Sequence, residues 1–339
     1  MKKFLFLLLG VVAFAACKDD DDGLDDGLDD ALLPGSKFQM EIEVDSRKND
    51  VDATNWVKRP LDVEFTVVEG ERDETPLVCV SKIKPINFAF KLTLPYCLVY
   101  DSHCSPEYYR VVGLADNCIY DKDNSILSVA ILHSYIEYIG DKVFKGAERL
   151  EELSLGFVLR KIGREAFRGC SMLPRLEWNN PEAEISIGKY AFAECTALER
   201  VEINVKEANI GEGVFKGCSS LNRVTINGEK LDFGRDAFKG CTNLETVTLS
   251  AFGETIEDGM FCDMPNLFDV KIGAGAKLVK NGAFKNCARL KYVHLPGTLD
   301  RIEAGAFQNC PSLEIIYITG GDHLVEIDEL PEGAHVVYD

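Results

Sequence analysis

The chain has 339 residues, 46% of them hydrophobic and 27% charged, with a formal charge of −19. That length allows two or three domains around an ordinary globular core. The acidity argues against nucleic acid as a partner, because no cluster of cations is on hand to neutralise phosphates.

Residues 1–16 read as a secretory leader: Lys2 and Lys3, the apolar run Phe4 to Phe14, then Ala15-Ala16. The run is too short to span a bilayer as a helix of the mature protein. Ala15-Ala16-Cys17 resembles a bacterial lipobox, and the resemblance implies that Cys17 becomes a lipidated first residue. Cleavage near Ala16 without lipid is the alternative. Acyl chains on Cys17 would give the two-signal anchoring that holds a protein stably on a membrane, here the outer membrane at the cell surface. Residues 17–35 continue with Lys18, Asp19 to Asp22, Asp25, Asp26, Asp29 and Asp30. Lysine and acids directly after such a cysteine look like the surface-export tag of some Gram-negative lipoproteins. Composition makes this stretch a self-repelling, disordered tether. A calcium loop would need a closing bidentate glutamate, which the spacing lacks.

Residues 36–124 change character. Runs such as Gln39 to Val44, Asp62 to Val67 and Asn87 to Leu92 alternate apolar and polar residues between turn-like breaks. They suggest a small all-β sandwich of immunoglobulin-like size, although the Cys-Trp-Cys spacing of true immunoglobulin domains is absent. Cys79, Cys97, Cys104 and Cys118 allow three pairings. Cys97 and Cys104 flank a turn, which would permit a local bridge; buried free thiols are the other reading, and the sequence leaves both open.

From about residue 125 one string is written eight times. Its third copy runs Ile187-Gly188, Ala191-Phe192, Cys195, Leu198, Val201, Ile203, and its fourth Ile210-Gly211, Val214-Phe215, Cys218, Leu221, Val224, Ile226. The phenylalanines fall at 144, 167, 192, 215, 238, 261, 284 and 307, a period of 23 with one copy of 25. Such a period predicts a solenoid in which each repeat buries its apolar face only by stacking. Leu-x-x-Val-x-Ile has the alternation of a short strand with one buried face. Ala-Phe-x-x-Cys has the spacing of one or two turns of helix, and the glycine after isoleucine suits a tight bend. The expected class is therefore an α/β solenoid of short parallel strands and short helices, preceded by the sandwich. Ile126 to Ile131 supplies a first half-repeat. Residues 319–339 form the cap, in which Ile327-Asp328 opens a ninth copy that never reaches Ala-Phe and ends on Val336-Val337-Tyr338.

The Ile-Gly-x-x-Ala-Phe-x-x-Cys-x-x-Leu-x-x-Val-x-Ile string is similar to the leucine-rich repeats of the BspA-like type found on bacterial surface proteins. The resemblance covers a little over half the chain. It implies a right-handed solenoid at the cell surface that binds other macromolecules, without catalysis. Ala147 and Met264 depart from it at the cysteine position, and Glu257, Lys280 and Glu303 at the glycine position.

The ladder cysteines 170, 195, 218, 241, 287 and 310 repeat one direction on successive rungs. That is the wrong shape for a tetrahedral metal site, and cysteine packs well as a small buried apolar residue. The five histidines, at 103, 133, 294, 323 and 335, match no His-Glu-x-x-His pattern, and no Gly-x-Ser-x-Gly is present. Ser102-His103-Cys104 places neighbours whose side chains diverge. We therefore expect no enzyme, cofactor or metal. The informative residues are on the exposed strand face. Early rungs stack Arg175, Arg200 and Arg223 beside Glu177 and Glu202, which a ladder of crossed ion pairs explains. Late rungs gather Tyr292, His294, Ile315 and Tyr317, with Phe268 at the edge. An exposed cluster of that kind is what a partner interface requires, unless the cap folds over it. Trp178 occupies an inward strand position. The expected function is a surface lipoprotein that binds a host or neighbouring-cell protein or glycan through this face; the alternative is a glycan-binding accessory protein of a polysaccharide-uptake system.

Overall fold

The computed structural model describes residues 12–14, 37–47, 56–72, 75–83, 90–93, 97–102, 105–119, 127–132, 136–321 and 324–339, with side chains given at 63–64, 79–80, 112–119, 130, 132 and throughout the last two ranges. Cys17, the tether and the leader outside 12–14 lie outside the described residues, as do the side chains of Cys97 and Cys104.

The alternation of Leu-x-x-Val-x-Ile produces the main element, a parallel sheet with one strand per coil. Its strands include Arg175–Ile187, Arg200–Ile210, Arg223–Asn227, Thr246–Ala251, Asp269–Ala274, Tyr292–Pro296 and Ile315–Thr319. They pair in strict register: Val201 lies beside Val224, Val224 beside Val247, Val247 beside Val270. The inward Val and Ile of each strand are buried, and the residues between them face out. Across the core, the isoleucine before each turn pairs in a second parallel ladder, for example Thr255–Ile256, Leu278–Val279, Arg301–Ile302 and Glu326–Ile327. The 25-residue copy absorbs its two extra residues as a register shift between Asn180 and Glu184. Trp178 is buried there, and its indole Nε1 donates to the Gly156 carbonyl at 3.0 Å.

The phenylalanines nest in one column. Neighbouring ring centroids, from Phe144 to Phe307, are 4.9, 4.9, 6.0, 5.8, 5.8, 5.2 and 5.1 Å apart, and every adjacent pair is stacked. Each buried ring contributes roughly 1.5–3 kcal/mol, which makes this column the main apolar support of the core.

The expected helices do not form: among the described residues there is no helix. The reason is local. Every ladder phenylalanine is bracketed two residues before and two after by left-handed backbone, as at Tyr190 (φ 57°) and Glu194 (φ 61°) around Phe192. Two left-handed residues four apart cannot belong to a right-handed helix. Their N–H groups go to the next coil instead: Phe167 N–H to the Ala191 carbonyl at 2.7 Å, Phe192 to Val214 at 2.9 Å, Phe215 to Ala237 at 2.9 Å. The Ala-Phe segment is a turn hydrogen-bonded to its neighbour, and its three-and-four spacing reflects stacking, not helical pitch.

The glycines that follow isoleucine are needed for room, not for bending. Gly188 and Gly211 are not left-handed, and a Cβ there would lie 2.6 Å from the Arg164 nitrogen and 2.7 Å from the Gly188 carbonyl carbon. Late coils relocate their glycine to the left-handed position before phenylalanine (Gly259, Gly282, Gly305). They carry Glu257, Lys280 and Glu303 where early coils have glycine, and Lys280 meets Glu257 at 2.7 Å. After the ring, late coils use Asp263, Asn286 and Asn309 in left-handed backbone, and these side chains hydrogen-bond from coil to coil at 2.7 Å.

The strands of residues 36–124 do not stand apart from this array. Lys37–Arg47 and Thr75–Ile83 flank Trp56–Arg72 antiparallel, but Ser105–Leu114 runs parallel to Tyr138–Ile139, and Phe90–Thr93 to Leu127–Ile131. Coil geometry already appears at 112–119. Leu114 precedes left-handed Asn117 (φ 55°), whose N–H reaches the Asp141 carbonyl, and the buried Ile119 stands where later coils have phenylalanine. At the other end, His335–Tyr338 pairs parallel with Ile315–Thr319, so the last residues add a rung to the sheet.

A methyl group at Gly188 meets backbone, so Gly188→Ala should lower unfolding free energy by about 1–3 kcal/mol in a denaturant titration. Lys280→Ala, at the corresponding position of a late coil, should cost under about 1 kcal/mol. Equal effects would refute the packing role of the early glycines.

Candidate functional site

Because register is strict, the outward residues form two continuous columns along the solenoid. One holds Arg175, Arg200, Arg223, Thr246, Asp269, Tyr292 and Ile315; the other Glu177, Glu202, Thr225, Thr248, Lys271, His294 and Tyr317. The early ion pairs are not crossed between rungs as expected. Arg175 meets Glu177 at 3.8 Å and Arg200 meets Glu202 at 3.3 Å, each within its own strand. Like therefore stacks over like, and each exposed pair contributes little.

The structure brings the five late residues together. Phe268 is 38% exposed, and its ring meets Tyr292 edge-on at 5.7 Å between centroids. The His294 ring stacks on Tyr317 at 4.5 Å. Ile315 pairs beside Tyr292 in the sheet. The Lys291 ammonium sits 5.4 Å over the Tyr292 ring and 3.0 Å from Glu314, whose hydrogen bond is the first cause raising its pKa. An open depression of about 460 Å³ adjoins the edge of this patch, lined by Phe268, Arg289, Lys291, Leu313, Glu314 and Glu332 among others.

Among the described residues, the final strand of the cap lies beside these rings in the sheet and not over them. Register places His335 beside Ile315 and Val337 beside Tyr317, which lengthens both columns by one rung. Those two residues escaped the sequence reading because the last coil lacks the phenylalanine turn. Its offset from Ile315 to His335 is shorter than the repeat, so extrapolating the period misses them. The β-branched pair Val336-Val337 beside Tyr338 was the available strand signal.

Burial holds the His294 pKa below its ordinary 6.5, Lys271 adding to the effect and Asp269 opposing it. Asp269 Oδ1 has no hydrogen-bond partner among the described residues and lies 3.5 Å from His294 Nε2. His103, His133 and His323 lie outside the described residues, as does the side chain of Ser102. Among the described residues no group of three or more His, Cys, Asp or Glu could hold a metal ion.

The cysteine ladder has a hydrogen-bonding role in addition to packing. The thiols of Cys170, Cys195, Cys218 and Cys241 donate to the phenylalanine carbonyl of the preceding coil at 3.2–3.3 Å, and those of Cys287 and Cys310 at 3.0 Å. Ala147 sits on the first phenylalanine coil, where no earlier phenylalanine carbonyl needs a donor. Burial raises the Cys195 and Cys241 thiols well above the usual range; hydrogen bonding to Cys195, then burial, does the same for Cys218. Thiols held neutral this firmly are poor nucleophiles. Cys79 and Cys118 are buried free thiols. Cys262, off the ladder, is half-buried.

The family model of the BspA type leucine-rich repeat region matches six copies, over residues 114–245 and 209–329. No curated protein matches the chain. A leucine-rich cell surface protein from Faecalibacterium prausnitzii is similar at 18% identity, with 77% of this chain and 94% of that one covered and a TM-score of 0.39. A leucine-rich repeat protein from Bacteroides ovatus gives 18%, 81% and 89%, with a TM-score of 0.33. The leucine-rich repeat protein of T. pallidum gives 20%, 66% and 87%, with a TM-score of 0.39.

Two outcomes follow from the site. The unfolded chain takes up a proton that folded His294 resists, so this residue's contribution to stability is complete above about pH 6.5 and is lost as pH falls below it. His294→Gln should therefore shrink the drop in melting temperature between about pH 7.5 and about pH 5; an unchanged drop would contradict the depressed pKa. In peptide mapping after brief labelling of folded protein, Cys262 should react and the six ladder cysteines should react only after unfolding. Native labelling of Cys195 or Cys218 at the rate of Cys262 would overturn their structural assignment.

Proposed function

The chain belongs to the BspA-type leucine-rich repeat family, and from that premise we propose that it is a non-catalytic recognition protein held at the cell surface. Lipid on Cys17 anchors it in the outer membrane, residues 18–35 act as tether, and the solenoid presents its sheet face to a host or neighbouring-cell macromolecule. One observation supports this most: an aromatic and aliphatic cluster, Phe268, Tyr292, His294, Ile315 and Tyr317, lies on a rigid open sheet face, and the terminal rung extends that face. Tyrosine and other large side chains on a preorganised surface supply binding energy at small entropic cost.

A second reading, glycan binding for a surface polysaccharide-uptake system, draws on the depression beside Phe268. An exposed ring flanked by Arg289, Lys291 and Glu314 combines a stacking face with donors and acceptors suited to hydroxyls.

The full chain, presented to immobilised matrix proteins, mucin and a glycan array, distinguishes the readings by which support retains it. Tyr292→Ala with Tyr317→Ala should weaken that retention at least about tenfold while the melting temperature moves by only a few degrees. Unaltered retention in the double variant would remove the aromatic patch from the binding surface.

A further inference from the structure

The outward columns have a property that single rungs do not reveal. Three rungs hold opposite charges side by side, the late rungs pair aromatic or apolar side chains, and between them Arg223 stands with Thr225 and Thr246 with Thr248. Arg175 stands with Glu177, Arg200 with Glu202, Asp269 with Lys271, Tyr292 with His294, Ile315 with Tyr317 and His335 with Val337. No rung from Arg175 to the last carries like charges in both columns. We propose that the sheet face binds a second copy of this chain, face to face, about a twofold axis parallel to the solenoid. The inference rests on the reading of this face as a recognition surface and gives that surface a further occupant, another copy of the chain.

The geometry selects that axis. Turning a copy by half a rotation about the solenoid direction exchanges left and right but keeps the order of rungs. Each residue of one column then faces its own rung's partner in the other column. Arg175 meets Glu177 of the second copy, Arg200 meets Glu202, Asp269 meets Lys271, and each contact occurs twice because a twofold interface is isologous. The apolar ends coincide as well, setting Ile315 against Tyr317 and Tyr292 against His294. A twofold axis running along the strands instead reverses the order of rungs. It sets Arg200 against Ile315, Arg223 against Tyr292 and Glu202 against Tyr317, which strips water from charges without pairing them. The parallel arrangement is favoured, and it leaves both N-termini at the same end, as two copies anchored in one membrane require.

Charge and area agree. The chain carries −19 in total, yet this face sets Arg175, Arg200, Arg223 and Lys271 against Glu177, Glu202 and Asp269. It is a locally balanced strip on an acidic molecule, so two copies can approach here with least repulsion. A strip about 35 Å long and roughly 16 Å wide has on the order of 600 Å² per copy, near the ~800 Å² per partner of a standard interface.

Sedimentation of the full chain tests this with substitutions in one rung. Wild type should form a reversible dimer with a dissociation constant on the order of micromolar. Arg200→Glu sets two glutamates against each other and should weaken the dimer at least about tenfold. The double exchange Arg200→Glu with Glu202→Arg restores complementarity between identical copies, so it should dimerise like wild type. Mixed with labelled wild type, however, the double exchange sets Glu against Glu and Arg against Arg, and hetero-association should fall with the single variant's. A wild-type chain that stays monomeric at about 100 µM overturns the proposal, as does a double exchange that pairs freely with wild type. Circular dichroism of both variants, expected to match wild type, checks that they remain folded. Retention of matrix protein or glycan by a monomeric chain would leave the proposed function standing and sink only this inference.

Discussion

The structure depends on the carbonyl oxygen of each ladder phenylalanine. At Phe144, Phe167, Phe215 and Phe238 it accepts the N–H of the residue three on, within its own coil, as Phe167 does from Cys170. Wherever the next coil carries a ladder cysteine it also accepts that thiol, as Phe167 does from Cys195 at 3.2 Å. One oxygen thus closes its own turn and ties it to its neighbour. The ring on the same residue stacks against the rings above and below, so polar and apolar forces act at one point and in one direction. Register follows: a coil slipped by one residue would lose the thiol bond, the backbone bond and the ring contact together. Cysteine suits the position because its thiol donates weakly while its bulk stays apolar, so the carbonyl is satisfied without importing a hydroxyl into the core.

That constraint explains how the glycines are distributed. Coils held this close must leave out a Cβ somewhere. Early coils omit it after the isoleucine, where backbone approaches backbone. Late coils keep only a glycine at the left-handed position before the ring, which the Phe215 coil has at Gly213 in addition to Gly211, and let Lys280 and Glu257 fill the neighbouring corner with an ion pair. The two solutions meet between Phe238 and Phe261, where Met264 replaces a ladder cysteine. The ring column continues across that junction at 5.8 Å. The hydrogen-bonded frame tolerates a change of corner as long as the rings keep their spacing.

What the sequence disclosed divides along the same line. Period, ring column, strand phase and the outward positions were all legible, because each depends on residues 23 apart meeting like residues. Turn conformation was not. Apolar residues three and four apart are common to a helix and to this turn, and what decides between them is left-handed backbone at Tyr190, Glu194, Lys142 and Glu165, residue types that give no warning. Within the outward columns, the positions were readable but the pairing was not, since an arginine beside a glutamate can lean along its strand or across to the next. The final rung was hidden because it reaches the sheet without the phenylalanine that marks the eight coils from Phe144 to Phe307. Ile119, in phenylalanine's place at the start of the array, was hidden for the same reason.

A frame that fixes every inward residue leaves only the outward ones free to vary, and here they vary by place. Charged rungs near Arg175 give way to the threonines 225, 246 and 248, then to one charged rung, Asp269 with Lys271, and after it to aromatic and aliphatic rungs ending at Val337. If this gradient served solubility alone, the late rungs would be charged like the early ones, because the strand interior is the same in both. Partly exposing Tyr292, Ile315 and Tyr317 on a flat sheet adds nothing to the core, whose rings and valines are already covered. It leaves apolar surface that gains stability only by meeting another surface. The early rungs have the opposite property: their charges lose little when left in water, and they discriminate between partners when brought together. A face graded in this way holds affinity at one end and selectivity at the other, and the ladder of phenylalanine carbonyls keeps the two in fixed register.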